Sequence, residues 1–155
     1  MTAAMLLRSG EADAILAVGG ESILCPIVVS GLSQAKALSR CNDDPIHACR
    51  PFDQNRDGFV IGEGGGALLL ETEEHAQARG AMIHAVLAGW ANTSDAHHVT
   101  APCPDGAGAA VCMQRALKRA GMQPSDIGYI NAHGTSTLLG DKAETLCGQI
   151  GIRRA

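Results

Sequence analysis

Apolar residues along the chain follow two patterns, short unbroken runs and spacings of three or four, which predict strands and helices respectively. The run from Ala14 to Val18 is apolar at every position, as expected of a strand that helices cover on both faces. The strands expected from such runs are 14–18, 59–61, 67–70, 82–89 and 127–131. The helices expected are 2–8, 26–38, one between Thr72 and Gly80, 107–120 and one that opens at Asp141. Strands that alternate with helices indicate a layered α/β fold.

Two helix starts and two loops can be read from residues with known positional preferences. Thr72 can accept a hydrogen bond as an N-cap, and two acidic residues follow it at the positive end of the helix. Asp141 and Glu144 have the spacing of a capping box, which predicts that the last helix starts there. The polar stretches 41–58 and 91–106 each contain prolines and are predicted loops.

The composition allows at most one ordinary domain, with a core of small side chains. The chain has 155 residues, and a hydrophobic fraction of 46% against 18% charged residues excludes disorder over most of its length. Glycine accounts for 19 residues, whereas aromatic residues make up only 3%. We therefore expect the core to consist of Ala, Val, Ile, Leu and Met, which suits layered α/β packing.

Charge and cysteine usage exclude several classes of partner and compartment. The formal net charge of −4 gives no electrostatic basis for binding nucleic acid or an anionic membrane. No apolar run approaches the ~20 residues that a membrane span requires, and the N-terminus lacks the basic region of a signal peptide. The six cysteines contain no C-x-x-C pair, so we interpret them as reduced thiols of an intracellular protein.

Two motifs resemble ligand-binding sites, but a structural role explains each of them better. The run Gly62–Gly66 lacks the Lys-Ser/Thr and the following helix of a phosphate-binding loop, so we expect its glycines at a bulge or a close backbone crossing. His97 and His98 lie near Cys103, but adjacent histidines point in different directions and no fourth metal ligand is spaced to complete a site. We therefore predict a loop histidine that bonds to backbone, and no metal.

His133 is the strongest candidate for chemistry. It follows a predicted buried strand and begins a turn of small hydroxyl residues, and the ends of strands are where α/β folds place reactive groups. From the residues alone, a structural turn histidine remains the alternative.

Three motifs in a fixed order give the chain a family resemblance. Residues 131–137 (Asn-Ala-His-Gly-Thr-Ser-Thr) with 140–144 (Gly-Asp-Lys-Ala-Glu) closely resemble the histidine motif of β-ketoacyl-acyl carrier protein synthases. Residues 50–64 and 95–102 are similar to two further signatures of that family. The resemblance covers about residues 1–145, and it is strongest to the elongating, type II fatty-acid enzymes.

The resemblance implies a fold and a reaction. The fold is a thiolase-like α/β fold of two similar halves, each a mixed sheet between helices, in an enzyme that is usually a homodimer. The reaction is a decarboxylative Claisen condensation between an acyl group on a catalytic cysteine and malonyl-acyl carrier protein. It requires no cofactor, because the phosphopantetheine arrives on the acyl carrier protein. The implied location is the cytoplasm, or a mitochondrion or plastid.

The resemblance also implies that residues 1–155 are an internal segment, from the end of the N-terminal half to the start of the C-terminal half, with no complete domain. The nucleophilic cysteine is then expected before Met1, and a lysine and a second histidine beyond Ala155. The alternative is a non-catalytic thiolase-like remnant that binds carrier protein or a full-length subunit.

Individual site residues follow from the same motifs. His133 matches the first of two catalytic histidines, which donates a hydrogen bond where the enolate oxygen develops charge. Glu144 matches a carboxylate near the active-site lysine or a bound cation, with the capping box as the alternative role. The residues that match substrate-binding positions are Thr135 and Thr137 at the pantetheine arm, Thr100 beside the channel, and Ile23, Val28 and Leu32 in the acyl pocket. Capping and turn bonding are the alternative for the two threonines of the turn, and core packing for the three apolar residues.

Overall fold

A computed structural model describes residues 1–151. The helices are α1 (Thr2–Ser9), α2 (Pro26–Gln34), α3 (Glu73–Ala78), α4 (Ala107–Ala120) and α5 (Leu138–Gly151). The strands are β1 (Ala14–Glu21) and β2 (Gly64–Glu71), and single turns of 3-10 helix cover Pro45–His47 and Pro124–Asp126. The chain divides into two compact units, the first made of residues 1–22 and 62–88 and the second of residues 23–61 and those from 89 onward. Among the described residues, no helix has the length and apolar character needed to cross a membrane.

The first unit is built on an antiparallel pair of strands. β1 and β2 pair along their whole length, from Ala14 opposite Glu71 to Glu21 opposite Gly64, and α1 contacts both strands. Three glycines of the run 62–66, Gly64, Gly65 and Gly66, are part of β2, and Gly65 pairs with Gly20, so the expected bulge is not formed there. Because β2 continues into Glu71 and the next helix starts only at Glu73, no helix N-terminus follows the glycines, and a phosphate loop is excluded.

The two strands are more exposed than their apolar sequence predicts. Leu16 is 62% exposed, and its partner across the ladder, Leu69, is 54% exposed. The expectation of a strand covered on both faces is therefore wrong for this chain as described. The physical reason is that only two short helices, α1 and α3, belong to this unit, which is too little apolar surface to cover both faces of the pair.

Three predicted strands are not formed in the described chain. Residues 82–89 and 127–131 have no regular structure, and Phe59 makes only a single parallel bridge, to Leu38. A strand is stable only when its N–H and C=O groups pair with a neighbour. Within residues 1–151 these segments have no ladder partner, so the apolar pattern alone does not make them strands.

The ends of α3 agree with the prediction. The Thr72 hydroxyl accepts a hydrogen bond from the His75 N–H, and the helix ends before Gly80, which adopts a left-handed φ of 66°. At the end of β2, the Glu71 carboxylate accepts hydrogen bonds from Arg79 and His75. The Arg79 hydrogen bond is the main reason why the pKa of Glu71 falls to about 2.

The second unit is centred on the packing of α4 against α5. The buried positions of this pair carry small side chains, among them Ala110, Ala143 and the fully buried Cys147. Gly106 permits the close approach, because a Cβ there would lie 2.4 Å from the Ala143 carbonyl oxygen. The expectation of a core without aromatic residues is confirmed here, but alanine, one leucine and Cys147 form it, and no Val, Ile or Met is buried among the described residues.

The last helix starts earlier than its sequence predicts. α5 begins at Leu138, so Asp141 lies inside the first turn and is not its N-cap. Thr137 has the capping role, since its hydroxyl accepts a hydrogen bond from the Gly140 N–H at 3.2 Å. The capping box of Asp141 and Glu144 is therefore wrong, because both carboxylates bond to backbone outside the helix instead.

Candidate active site

The turn before α5, residues 132–137, has an unusual backbone. Gly134 and Ser136 adopt left-handed φ values of 53° and 66°. Glycine adopts this conformation freely, but for a residue with a Cβ it costs roughly 1–2 kcal/mol. The Ser136 conformation therefore requires support from its surroundings.

A buried carboxylate supplies that support. Asp141 is 1% exposed, and its two oxygens accept hydrogen bonds from the N–H groups of Ser136, at 3.0 Å, and Phe52, at 2.7 Å. Phe52 also has a left-handed backbone, with φ of 65°. The Arg56 guanidinium lies 3.1 Å from the carboxylate and neutralises it. One side chain thus holds two strained residues from distant parts of the sequence.

Segment 50–58 provides the other bonds to the turn. The Arg50 N–H donates to the Ser136 hydroxyl at 3.1 Å, and the Gly58 N–H donates to the Ser136 carbonyl at 3.0 Å. Gly58 is required at its position, because a Cβ there would lie 2.6 Å from the Ala37 carbonyl oxygen. The Arg50 Nε is buried and has no hydrogen-bond partner among the residues described. The hydrogen bonds from Arg50 N–H and Gly58 N–H both fix Ser136 in place.

Glu144 holds the backbone of the candidate catalytic histidine. Its two carboxylate oxygens accept hydrogen bonds from the N–H groups of His133, at 2.5 Å, and Gly134, at 2.8 Å. The His133 side chain is exposed, and within residues 1–151 its ring makes no hydrogen bond. The backbone of His133 is thus fixed while its imidazole is free to meet a ligand.

The two predicted threonines lie in the same turn. Their hydroxyl oxygens are 3.0 Å apart, and Thr137 also caps α5. The capping that was the alternative role of Thr137 is therefore observed. A hydroxyl has one donor and two acceptor positions, so capping leaves capacity for a further polar partner.

Thr100 lies in the loop 91–106, where His98 organises the backbone. The Nδ1 atom of His98 accepts hydrogen bonds from the N–H groups of Thr100 and Ala101, both at 3.1 Å. The prediction of a loop histidine that bonds to backbone is confirmed for His98. Asp95 fixes the far end of the loop by accepting the Cys103 N–H at 3.0 Å. The side chain of Thr100 itself is exposed.

The three apolar candidates lie at and before α2. Val28 and Leu32 are four residues apart and share a face of the helix, and Ile23 precedes it; all three are half-buried. Apolar side chains make no hydrogen bonds, so burial is the evidence for their position.

The structure places the predicted site residues in three parts of the second unit. His133, Thr135 and Thr137 lie in one turn, Thr100 lies in the loop 91–106, and the three apolar residues lie at or before α2.

Sequence reasoning missed the residues that hold the turn in place. The sequence shows Phe52, Arg56 and Ser136 only as parts of motifs, and predicts Asp141 to be a helix cap. The available signal was weak: Arg56 and Asp141 are complementary charges in two motifs of a chain with only 18% charged residues. Their pairing over 85 residues could not be read from spacing.

Comparisons with known proteins identify the family of the chain. The profile described as "Beta-ketoacyl synthase, N-terminal domain" matches residues 1–76, and "Beta-ketoacyl synthase, C-terminal domain" matches residues 84–149. The chain is 48% identical to 3-oxoacyl-[acyl-carrier-protein] synthase 2 of Vibrio cholerae, over 99% of this chain and 36% of that protein. It is 52% identical to a putative mitochondrial 3-oxoacyl-[acyl-carrier-protein] synthase of Schizosaccharomyces pombe, over 90% of this chain and 33% of that protein.

Solved structures show the same similarity. A type II polyketide ketosynthase, solved in complex with its acyl-carrier protein, superposes with a TM-score of 0.94 at 42% identity, over 99% of this chain and 38% of that chain. A β-ketoacyl synthase from Burkholderia phymatum superposes with a TM-score of 0.91 at 40% identity, over 97% of this chain and 36% of that chain.

The chain belongs to the β-ketoacyl synthase family. Its fold is part of the thiolase-like α/β fold of ketosynthases, which confirms the fold class expected from the motifs. Among its relatives are enzymes named as 3-oxoacyl-[acyl-carrier-protein] synthases, and the chain spans about a third of their length.

Proposed function

We propose that this chain contributes the first catalytic histidine and part of the substrate site to a β-ketoacyl-acyl carrier protein synthase of fatty-acid biosynthesis. The observation that carries the proposal is the state of His133. Its N–H is held by Glu144 while its ring is exposed and makes no bond within the described chain. A fixed backbone with a free imidazole suits a group that must meet developing charge with little reorganisation.

The reaction has two chemical steps that this site would serve. Malonyl-acyl carrier protein loses carbon dioxide, and the electron pair of the broken C–C bond forms a thioester enolate. The enolate carbon then attacks the carbonyl of an acyl-cysteine thioester, a new C–C bond forms and the cysteine thiolate leaves. His133 donates a hydrogen bond to the enolate oxygen as charge develops there. The nucleophilic cysteine in this proposal is none of the six in this chain.

The substrate-binding roles are proposals on the same basis. Thr135 and Thr137 would bond the phosphopantetheine arm, because their hydroxyls are paired beside His133 and retain bonding capacity. Thr100 would flank the channel from a loop that His98 and Asp95 hold in shape. The apolar residues Ile23, Val28 and Leu32, half-buried around α2, would line the acyl pocket.

The proposed partners are an acyl carrier protein and a second synthase subunit. A carrier protein is supported by the solved ketosynthase that binds its own carrier protein and superposes on this chain. The homodimer rests on the family resemblance alone. The family resemblance implies no separate cofactor, because the phosphopantetheine arrives on the acyl carrier protein. Relatives named as mitochondrial and chloroplastic, together with bacterial ones, support a location in the cytoplasm or in one of these organelles.

The test is a chimera in which this chain replaces its matching segment in the Vibrio cholerae synthase. We expect the chimera to condense acyl and malonyl groups on carrier protein. His133→Ala should lower malonyl decarboxylation by roughly two to four orders of magnitude, the effect of losing a donor to the developing oxyanion. His84→Ala is the matched control, since His84 is exposed and outside the turn, and it should change the rate less than about twofold.

Two outcomes would contradict the proposal. A His133→Ala chimera within a few-fold of the unsubstituted rate would make His133 a structural turn residue. A folded chimera that binds carrier protein without condensation would support the non-catalytic alternative.

A further inference from the structure

We propose that Arg56 is a positioning residue for His133, acting through the first turn of α5; this inference rests on the proposed function. Arg56 lies in segment 50–58, and His133 lies in the turn before α5. The two residues are far apart in sequence, and the guanidinium of Arg56 contacts the chain on both sides of this gap.

All three nitrogens of the Arg56 guanidinium have partners. Nη1 donates to the Asp53 carbonyl at 2.9 Å, within its own segment. Nη2 donates to the Leu138 carbonyl at 2.9 Å, and Nε donates to the Thr137 carbonyl at 3.2 Å. Nε also lies 3.1 Å from the Asp141 carboxylate. The side chain is 15% exposed and therefore joins segment 50–58 to the start of α5 in a largely dry environment.

The first two turns of α5 carry both carboxylates that hold the histidine turn. Asp141 bonds the Ser136 N–H, and Glu144, one helical turn later, bonds the N–H groups of His133 and Gly134. A small rotation of this helix end would move both carboxylates at once. Arg56 opposes such a rotation, because it donates hydrogen bonds to the carbonyls of Thr137 and Leu138 and pairs with the Asp141 carboxylate at the start of α5.

The charge of Arg56 has a separate role. Burying a carboxylate as deeply as Asp141 costs free energy unless a positive group and hydrogen-bond donors surround it. If the Asp141 side chain turned away, it would release the left-handed backbones of Phe52 and Ser136. Arg56 thus preserves a strained turn whose conformation sets the position of His133.

The geometry requires arginine and not just a positive charge. A guanidinium is planar and presents donors in a fixed fork, so it can hold several acceptors in one plane. A lysine ammonium at the end of a flexible chain could neutralise Asp141, but it could not hold the two carbonyls and Asp53 together. Arg56→Lys therefore separates the positioning role from the charge.

The experiment measures two partial reactions of the chimera described above. For Arg56→Lys we expect malonyl decarboxylation to fall about 10- to 100-fold, the scale of a misplaced catalytic group. The rate of acyl transfer to the cysteine, in which His133 has no proposed role, should fall less, by no more than about threefold. Arg119→Lys is the matched control, because Arg119 also donates to a backbone carbonyl, that of Trp90, but lies on α4. It should leave both reactions and their ratio unchanged.

A structural readout accompanies the kinetics. In the crystal structure of the Arg56→Lys chimera we expect the His133 backbone to be displaced and its hydrogen bond to Glu144 lengthened. An unchanged turn would overturn the proposal whether or not the chimera is active, whereas an inactive chimera with unsubstituted Arg56 would count against the proposed function.

The remaining outcomes also decide the question. Arg56→Gln, which keeps a donor but loses the charge, is carried as a second variant. If decarboxylation and acyl transfer fall together with the melting temperature, or if neither variant folds, Arg56 is a general structural residue and the proposal is wrong. If decarboxylation does not change in either variant, the proposal is also wrong.

Discussion

In the turn before α5, polar groups form hydrogen bonds and an ion pair with other polar groups of the same chain. In the β1–β2 pair, by contrast, large apolar side chains face solvent. The turn has a strained backbone, and Asp141, Arg56 and Glu144 satisfy it with a dense set of bonds. The β1–β2 pair has a regular backbone with every residue in register, yet Leu16 and Leu69 are more than half exposed.

The difference shows that polar and apolar stabilisation have different requirements. A few well-placed donors and acceptors satisfy a strained turn, and two segments of this chain supply all of them. An apolar sheet face needs a wide packed area, because its stabilisation grows with the surface removed from water. The turn should therefore be sensitive to single polar substitutions, and the strand pair to substitutions that change its exposed surface.

The largest expected effect is on Asp141. Asp141→Ala removes the acceptor of two backbone N–H groups and leaves the Arg56 charge without its buried partner. We expect the free energy of unfolding of the chimera to fall by about 3–5 kcal/mol, as for other broken buried ion pairs. Urea unfolding measures the change.

The control for Asp141 comes from the same segment as its partners. Asp53 is exposed and its carboxylate accepts one hydrogen bond, from the Asn55 N–H, while its carbonyl would be kept in the variant, so Asp53→Ala should cost less than about 1 kcal/mol. Equal losses for the two substitutions would show that Asp141 does not hold the turn as its contacts indicate.

An intermediate effect is expected at the exposed strands. We expect the 155-residue polypeptide alone to aggregate, because exposed apolar strands associate with other chains. Replacing the facing pair, Leu16→Thr with Leu69→Thr, should lower the aggregated fraction several-fold in light scattering. It should cost less than about 1 kcal/mol of stability, since both residues are already more than half exposed.

A matched pair of substitutions tests whether the sheet is the cause. Met82 and Val86 are 80% and 78% exposed but lie outside any strand, so Met82→Thr with Val86→Thr should change aggregation much less. A sharp, cooperative unfolding transition from a monodisperse unsubstituted monomer would refute the expectation altogether.

The smallest expected effect concerns pH and the end of β2. The Arg79 hydrogen bond lowers the pKa of Glu71 from 4.5 to about 2, so the ionised form is favoured in the folded state. Its stabilisation is complete above the unfolded pKa and is lost as the pH falls from about 4.5 towards 2. The difference in urea midpoint between the parent chimera and Glu71→Gln should thus be constant above about pH 5 and shrink below it.

The comparison with Glu74 isolates this contribution. Glu74 is exposed in the first turn of α3, so Glu74→Gln should give a smaller difference from the parent chimera at neutral pH. A Glu71→Gln difference that grew on acidification would mean that the Arg79 contact does not favour the ionised carboxylate.

Local sequence signals predicted the helices and their simplest ends. α1, α4 and the capped start of α3 lie where spacing and end residues place them, because helical hydrogen bonds join residues only four positions apart. The predictions of strands at 82–89 and 127–131 were wrong, because a strand forms only beside a second strand with which it can pair, and a local pattern does not show whether that second strand is present.

His133, Thr135 and Thr137 lie in one turn because they are neighbours in the chain, and the motifs around them already indicate the family. How that turn is held depends on contacts between segments that are distant in sequence. Arg56 and Asp141 form an ion pair although they are 85 positions apart. Because Thr137 caps α5, the helix begins at Leu138 and the Asp141 carboxylate is not needed as a cap. That carboxylate bonds the N–H groups of Phe52 and Ser136 instead. A capping residue acts within one turn of its own helix, whereas a buried ion pair depends on where the fold brings two distant segments together.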